Sequence, residues 1–148
     1  MKTFLMCCLA ALLGFGPTAR PAEARQHLLL GSSIVGGSYY VLGGTYAKYI
    51  NDTYPDLDIS VEVGGGPYSN ITLLSNGEID LGFATTWATG EMYDGINDQK
   101  KRHEDIRAFL PLFPSYLQIY ALKDSPIKSL PDIQGKIASS GAAGSSGR

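Results

Sequence analysis

One arrangement recurs along the chain and limits what it can fold into: a short apolar run, a turn of glycine and hydroxyl residues, then a helix. Residues 27–31 suit a buried strand. The turn after them reads Gly31-Ser32-Ser33-Ile34-Val35-Gly36-Gly37-Ser38, and a helix is expected over 39–53. Leu42, Tyr46, Tyr49, Ile50 and Thr53 give it one apolar side. Pro55 ends it, because the residue before a proline avoids the helical region. Residues 58–63 alternate, with Ile59, Val61 and Val63 on one face, as in a strand at a sheet edge. Gly64-Gly65-Gly66 follows, and Pro67 opens a helix over 68–75 that buries Ile71 and Leu74 and ends at Asn76-Gly77. Residues 79–84 form a third strand, and Thr85-Thr86 cap a short helix carrying Trp87, Met92 and Tyr93. This order predicts an α/β fold with a mostly parallel sheet and right-handed connections. Farther on, 106–113 and 116–122 read as two strands parted by Pro114, 129–133 as a helical turn, and 136–139 as the start of another strand.

The first residues belong to a different plan. Lys2, an apolar run over 4–15, Pro17 and the small-x-small signal Ala22-Glu23-Ala24 have the layout of a cleaved secretory signal peptide over 1–24. An uncleaved anchor is the alternative, but a span needs about 18–20 apolar residues. Both cysteines, Cys7 and Cys8, lie in this segment, so the mature chain is expected to hold no disulfide or thiolate site. His27 and His103 are the only histidines and are far apart, which argues against a histidine-based zinc cluster. Removal of 1–24 takes Lys2, Arg20 and Glu23 from totals of 12 cations and 14 anions, leaving 10 against 13 and a net charge of −3. That balance argues against nucleic acid as a partner, which needs clustered cations facing phosphates. The basic run Lys100-Lys101-Arg102 is followed at once by Glu104-Asp105 and reads as a solvated connection.

The turns carry the chemistry. In an open parallel sheet the carboxyl ends of the strands share one rim, and ligands bind in the crevice there. Gly36-Gly37-Ser38, Gly65-Gly66 with Ser69-Asn70, and Thr85-Thr86 all follow strands and open helices. Each directs backbone N–H groups and a helix N-terminus at that rim, an arrangement that holds carboxylate or phosphate without arginine. Any one of these turns is also ordinary capping chemistry; three of them, with the glycine-rich run over 141–147, favour a binding site. Tyr39, Tyr40 and Trp87 stand at the same helix starts and offer an apolar wall, with one of the two tyrosines expected to face the sheet.

Enzyme motifs fit poorly. Gly31 and Gly36 have phosphate-loop spacing, but Gly37-Ser38 stands where lysine and a hydroxyl residue are required. Gly64 and Gly66 begin a dinucleotide fingerprint whose third glycine is Ser69. A hydrolase using Ser38 or Ser145 lacks a placed histidine or lysine base. Glu78 and Asp80 read as solvent-facing carboxylates rather than an acid–base pair, and Asn51-Asp52-Thr53 and Asn70-Ile71-Thr72 as chance matches to the glycosylation pattern. The chain is expected to be no enzyme and to need no cofactor.

Gly36-Gly37-Ser38-Tyr39-Tyr40-Val41-Leu42-Gly43, then Asn70-Ile71-Thr72-Leu73-Leu74, then Gly77-Glu78-Ile79-Asp80-Leu81-Gly82-Phe83-Ala84 resemble, in this order, segments of the TAXI family, the solute receptors of TRAP-type secondary transporters. The stretch Asp124-Ser125-Pro126-Ile127-Lys128-Ser129-Leu130-Pro131-Asp132-Ile133-Gln134-Gly135-Lys136 and the loop Gly141-Ala142-Ala143-Gly144-Ser145 are similar to later ones. The resemblance implies a periplasmic-binding-protein-like (type 2) fold of two α/β lobes, with 25–123 as lobe I and 124–148 as the crossover and the start of lobe II, where this chain is expected to be truncated. It implies a periplasmic monomer that captures a small carboxylate such as glutamate or 2-oxoglutarate for a TRAP-type permease. By position it implies ligand contacts at Gly37, Ser38 and Tyr39, at Gly66, Ser69 and Asn70, at Thr85 and Thr86, and at Gly144 and Ser145. Thr85-Thr86-Trp87 departs from the family's polar third loop, which bears on the ligand's identity. A sensor module of a membrane receptor on the same fold is the alternative.

Overall fold

A computed structural model describes residues 25–96, 100–145 and 147; the expected signal segment lies outside them. Strands β1 (Gln26–Gly31), β2 (Leu57–Glu62) and β3 (Leu81–Gly82) form one parallel sheet in the order β2-β1-β3. Three helices intervene or follow: α1 (Ser38–Thr53), α2 (Pro67–Ser75) and α3 (Thr86–Asp94). A single 3-10 turn covers Leu130–Ile133. The expected α/β architecture and the edge position of β2 are therefore found.

The core holds two apolar clusters. In the first, Leu30, Ile59, Phe83 and Ala47 of α1 are buried, with Leu28, Leu42, Ile50 and Val61 packed around them. Helix α1 turns Gly43 and Ala47 to the sheet, while Tyr49 and Thr53, both expected on the buried side, face solvent. The reason is proximity. A methyl added to Gly43 would sit 3.2 Å from Val61 Cγ1 and 3.3 Å from Phe83 Cε2, so the helix lies too close for a large residue at its contact line. Asn51 locks the far end: its Nδ2 donates to Ile59 O (3.0 Å) and its Oδ1 accepts from Ile59 N (2.7 Å). The second cluster joins α2 and α3 through Tyr68, Ile71, Ala88 and Met92, with Ile106 against it.

Strand β3 is shorter than the 79–84 expected from sequence. The Asp80 carboxylate accepts the Leu29 N–H (2.8 Å), so a side chain replaces part of the ladder; Asp80 is exposed but engaged with β1. The strands expected at 106–113, 116–122 and 136–139 are absent among the described residues. These segments run without regular structure, and Phe109, Tyr116, Leu117, Tyr120 and Leu122 are exposed. Apolar alternation marks a segment able to enter a sheet, but a strand exists only where a neighbour takes its hydrogen bonds.

His103, only 1 % exposed, fastens this second cluster from below. Its N–H donates to Met92 O (3.0 Å) at the end of α3, and its Nδ1 lies 2.7 Å from Ser75 Oγ at the end of α2. Ser75 donates its one hydroxyl proton to Asp105 Oδ1 (3.0 Å), so Nδ1 is the protonated nitrogen and donates to Ser75. Nε2 is then a bare acceptor without a partner among the described residues. Burial, reinforced by Lys101 and opposed by Asp105, pushes the imidazole pKa below its ordinary value of 6.5. The unfolded chain therefore takes up the proton first, so stability is full above pH 6.5 and declines as pH falls below it. Urea denaturation at stepped pH should show that decline, and His103→Gln should flatten it.

Candidate ligand-binding site

The carboxyl ends of β1 and β3 are drawn together by one side chain. Asn70, on α2 and 0 % exposed, points its amide at the rim. Its Nδ2 lies 3.1 Å from Gly31 O, 2.9 Å from Ser32 O and 2.9 Å from Phe83 O, so two hydrogens are shared among three carbonyls. A methyl on Gly31 would lie 2.8 Å from Asn70 Oδ1 and 2.5 Å from Ile79 Cδ1, which explains a glycine at the end of β1. Ser32, also fully buried, donates from Oγ to Glu62 O (2.8 Å) and from its N–H to the same oxygen (2.9 Å), tying the β1 turn to the end of β2.

Over this knot lies a pocket of about 250 Å³. The β1 turn and the start of α1 supply Ser33, Ile34, Gly37, Ser38 and Tyr39. The β2 turn and the start of α2 supply Gly65, Gly66 and Pro67. Phe113, Ser115, Gly141, Ala142 and Ser145 close it from the later chain. Gly37 N–H is used by Ile34 O (2.9 Å), but the N–H groups of Ser38 and Tyr39 in the first turn of α1 make no bond within the described residues. At α2, Tyr68 N–H donates to Gly144 O (3.2 Å), which leaves Ser69 N–H. Tyr39 stacks on Phe83 with centroids 5.2 Å apart, leans toward Phe113 at 6.4 Å, and has its hydroxyl pKa raised by burial.

The ten residues singled out from sequence divide accordingly. Gly37, Ser38, Tyr39, Gly66 and Ser145 line the pocket. Ser69 and Gly144 do not line it but lie against residues that do: a methyl on Gly65 would come 3.1 Å from Ser69 Cβ, and one on Gly66 would come 3.4 Å from Gly144 O. Asn70 lies beneath, with its amide given to the strand ends. Thr85 and Thr86 do not line it. Thr85 is the N-cap of α3, 5 % exposed, with a hydroxyl that has no partner among the described residues; Thr86 is exposed. Trp87 is exposed as well.

Among the described residues no charged side chain and no histidine lines the pocket. His27 bonds to Asp58 (3.0 Å), and His103 is buried against Ser75. Among the described residues no group of three or more histidine, cysteine, aspartate or glutamate side chains is placed to hold a metal. The arrangement can hold a small polar group through amides and hydroxyls and rest an apolar part on Ile34, Tyr39 and Phe113.

The profile of the NMT1-like family matches residues 30–148, a span that contains the end of β1, strands β2 and β3, the helices and every segment of the pocket. The chain belongs to the NMT1-like family. That family is periplasmic-binding-protein-like, so an NMT1-like chain has an extracytoplasmic solute-binding role with a small molecule as its partner. No solved structure matches the chain. Among the described residues of this NMT1-like protein, no helix is long and apolar enough to cross a membrane. Sequence reasoning missed Phe113 and Ser115 as lining residues, because they lie in and beside segments that read as sheet core. It passed over Ser33 and Ile34, although both lie in the glycine-serine turn read after the first strand, and over Pro67, although it directly follows Gly66.

Proposed function

We propose that this protein is an exported solute receptor of the TAXI type, which captures a small carboxylate-bearing ligand of the glutamate or 2-oxoglutarate kind and delivers it to a TRAP-type permease. In this reading residues 1–24 are the cleaved export signal, the receptor works in the periplasm as a monomer, 25–123 form the first lobe, and 124–148 lead into the second. One observation carries the proposal: the turns after β1 and β2 bring two helix N-termini to a single pocket where the described residues supply hydroxyls and aromatics but no catalytic base. Such a site binds and releases without chemistry. The ordered likeness of 36–43, 70–74, 77–84 and 124–136 to TAXI receptors supports the transporter assignment. Calorimetry on the full-length protein with a panel of small carboxylates tests it. A dissociation constant of about 1 μM or tighter, roughly −8 kcal/mol, is expected for at least one acid; no heat across the panel would refute the assignment.

A further inference from the structure

Resting on the carboxylate-capture part of that reading, and departing from its glutamate or 2-oxoglutarate ligand, we infer that the pocket selects a solute with one anionic group and an apolar body over a dicarboxylate. A helix N-terminus acts as roughly half a positive charge, and α1 and α2 both begin at the pocket wall, so together they offset about one negative charge. Part of that is already used, since the Gly144 carbonyl takes the Tyr68 N–H at the start of α2. Among the described residues no lysine, arginine or histidine lines the pocket to balance a second carboxylate. A second anionic group would exchange water for Ile34, Tyr39, Phe113 and Pro67, and burying an unpaired carboxylate beside apolar groups is strongly unfavourable. The same four side chains suit a hydrocarbon or aromatic arm. At about 250 Å³ the pocket is below the usual range for drug-sized ligands, roughly 300–1,000 Å³, which restricts that arm to a few carbons or one ring.

Three probes of similar length decide the matter on the full-length protein: 4-methylpentanoate, 2-oxoglutarate, and the neutral 4-methylpentanamide. The expected order places the monocarboxylate about tenfold or more tighter than either of the others. Phe113→Ser, at a half-exposed position outside any helix or strand, should weaken 4-methylpentanoate by several-fold and leave acetate unchanged. Tighter binding of 2-oxoglutarate than of 4-methylpentanoate would overturn the selectivity while leaving carboxylate capture standing. Binding of the amide alone, or of none of the three and no other acid, would overturn both.

Discussion

Asn70→Asp is expected to lower the stability of the protein by about 3–5 kcal/mol at neutral pH, the range found when a buried charge is left without a partner. The Asn70 amide is fully buried and faces the carbonyls of Gly31, Ser32 and Phe83. An aspartate there has no hydrogen to donate and sets an anion against three negative dipoles. Its carboxyl would resist ionisation, so its folded pKa would stand above the ordinary carboxylate value of about 3.9. Below that value both folded and unfolded chains carry the proton and the charge penalty vanishes; it grows as pH rises through it. Asn70→Leu isolates the hydrogen-bond part. It removes the donor without adding charge and should cost about 1–3 kcal/mol at every pH. Urea denaturation of both variants at pH 4 and pH 7 separates the two effects (about 4 and 7 bracketing the titration). A variant as stable as the parent would mean that Asn70 does not hold the strand ends.

Gly66→Ala is expected to strike the binding rim itself. Gly66 has φ 110° and ψ −158°, a backbone region occupied essentially by glycine alone, and it is the N-cap from which α2 starts. A side chain there costs at the upper end of about 1–3 kcal/mol if the backbone keeps its shape. The added methyl would also meet Ser145 Cα at 3.3 Å and Gly144 O at 3.4 Å, pressing on the segment whose carbonyl accepts Tyr68 N–H. The cheaper outcome is a rotated turn, which re-aims the Ser69 N–H and opens the contact with the 141–145 segment. Ligand affinity should then fall by about tenfold or more, alongside a measurable loss of thermal stability. Gly36→Ala is the comparison: φ is 85° there, but nothing lies within 4 Å of the added methyl. It should show the backbone strain with little change at α2.

Where the fold was legible in sequence, the reason is local. The apolar run before Gly31, the alternation of Ile59 and Val61, and Pro67 after three glycines each set a backbone state within a few residues. Strands β1 and β2 and all three helices lie close to where these signals put them. The buried line of α1 was harder to read, because Gly43 and Ala47 give no hydrophobic signal and are recognised as contacts only once the helix is seen to lie against Val61 and Phe83. The segments at 106–122 show the opposite failure. Their composition suits strands, yet a strand depends on a partner that composition does not supply. In the site, Gly37, Ser38, Tyr39 and Gly66 could be found because turn chemistry and helix starts coincide there. Asn70 was found for a different role: its amide belongs to the strand ends, a long-range bond that no spacing in the sequence displays. Thr85 stands at the N-cap of α3 without a side-chain cap bond, and the pocket is formed without it.

Free amides at the starts of α1 and α2 are expected to hold one negatively charged group. Titration of the ¹⁵N-labelled full-length protein with 4-methylpentanoate, followed by amide resonances, tests it most directly. The predicted result is a common saturating shift at Ser38, Tyr39 and Ser69, with little change along α3. Shifts gathered around Thr85 and Trp87, or none at the three amides when the acid is bound, would contradict it.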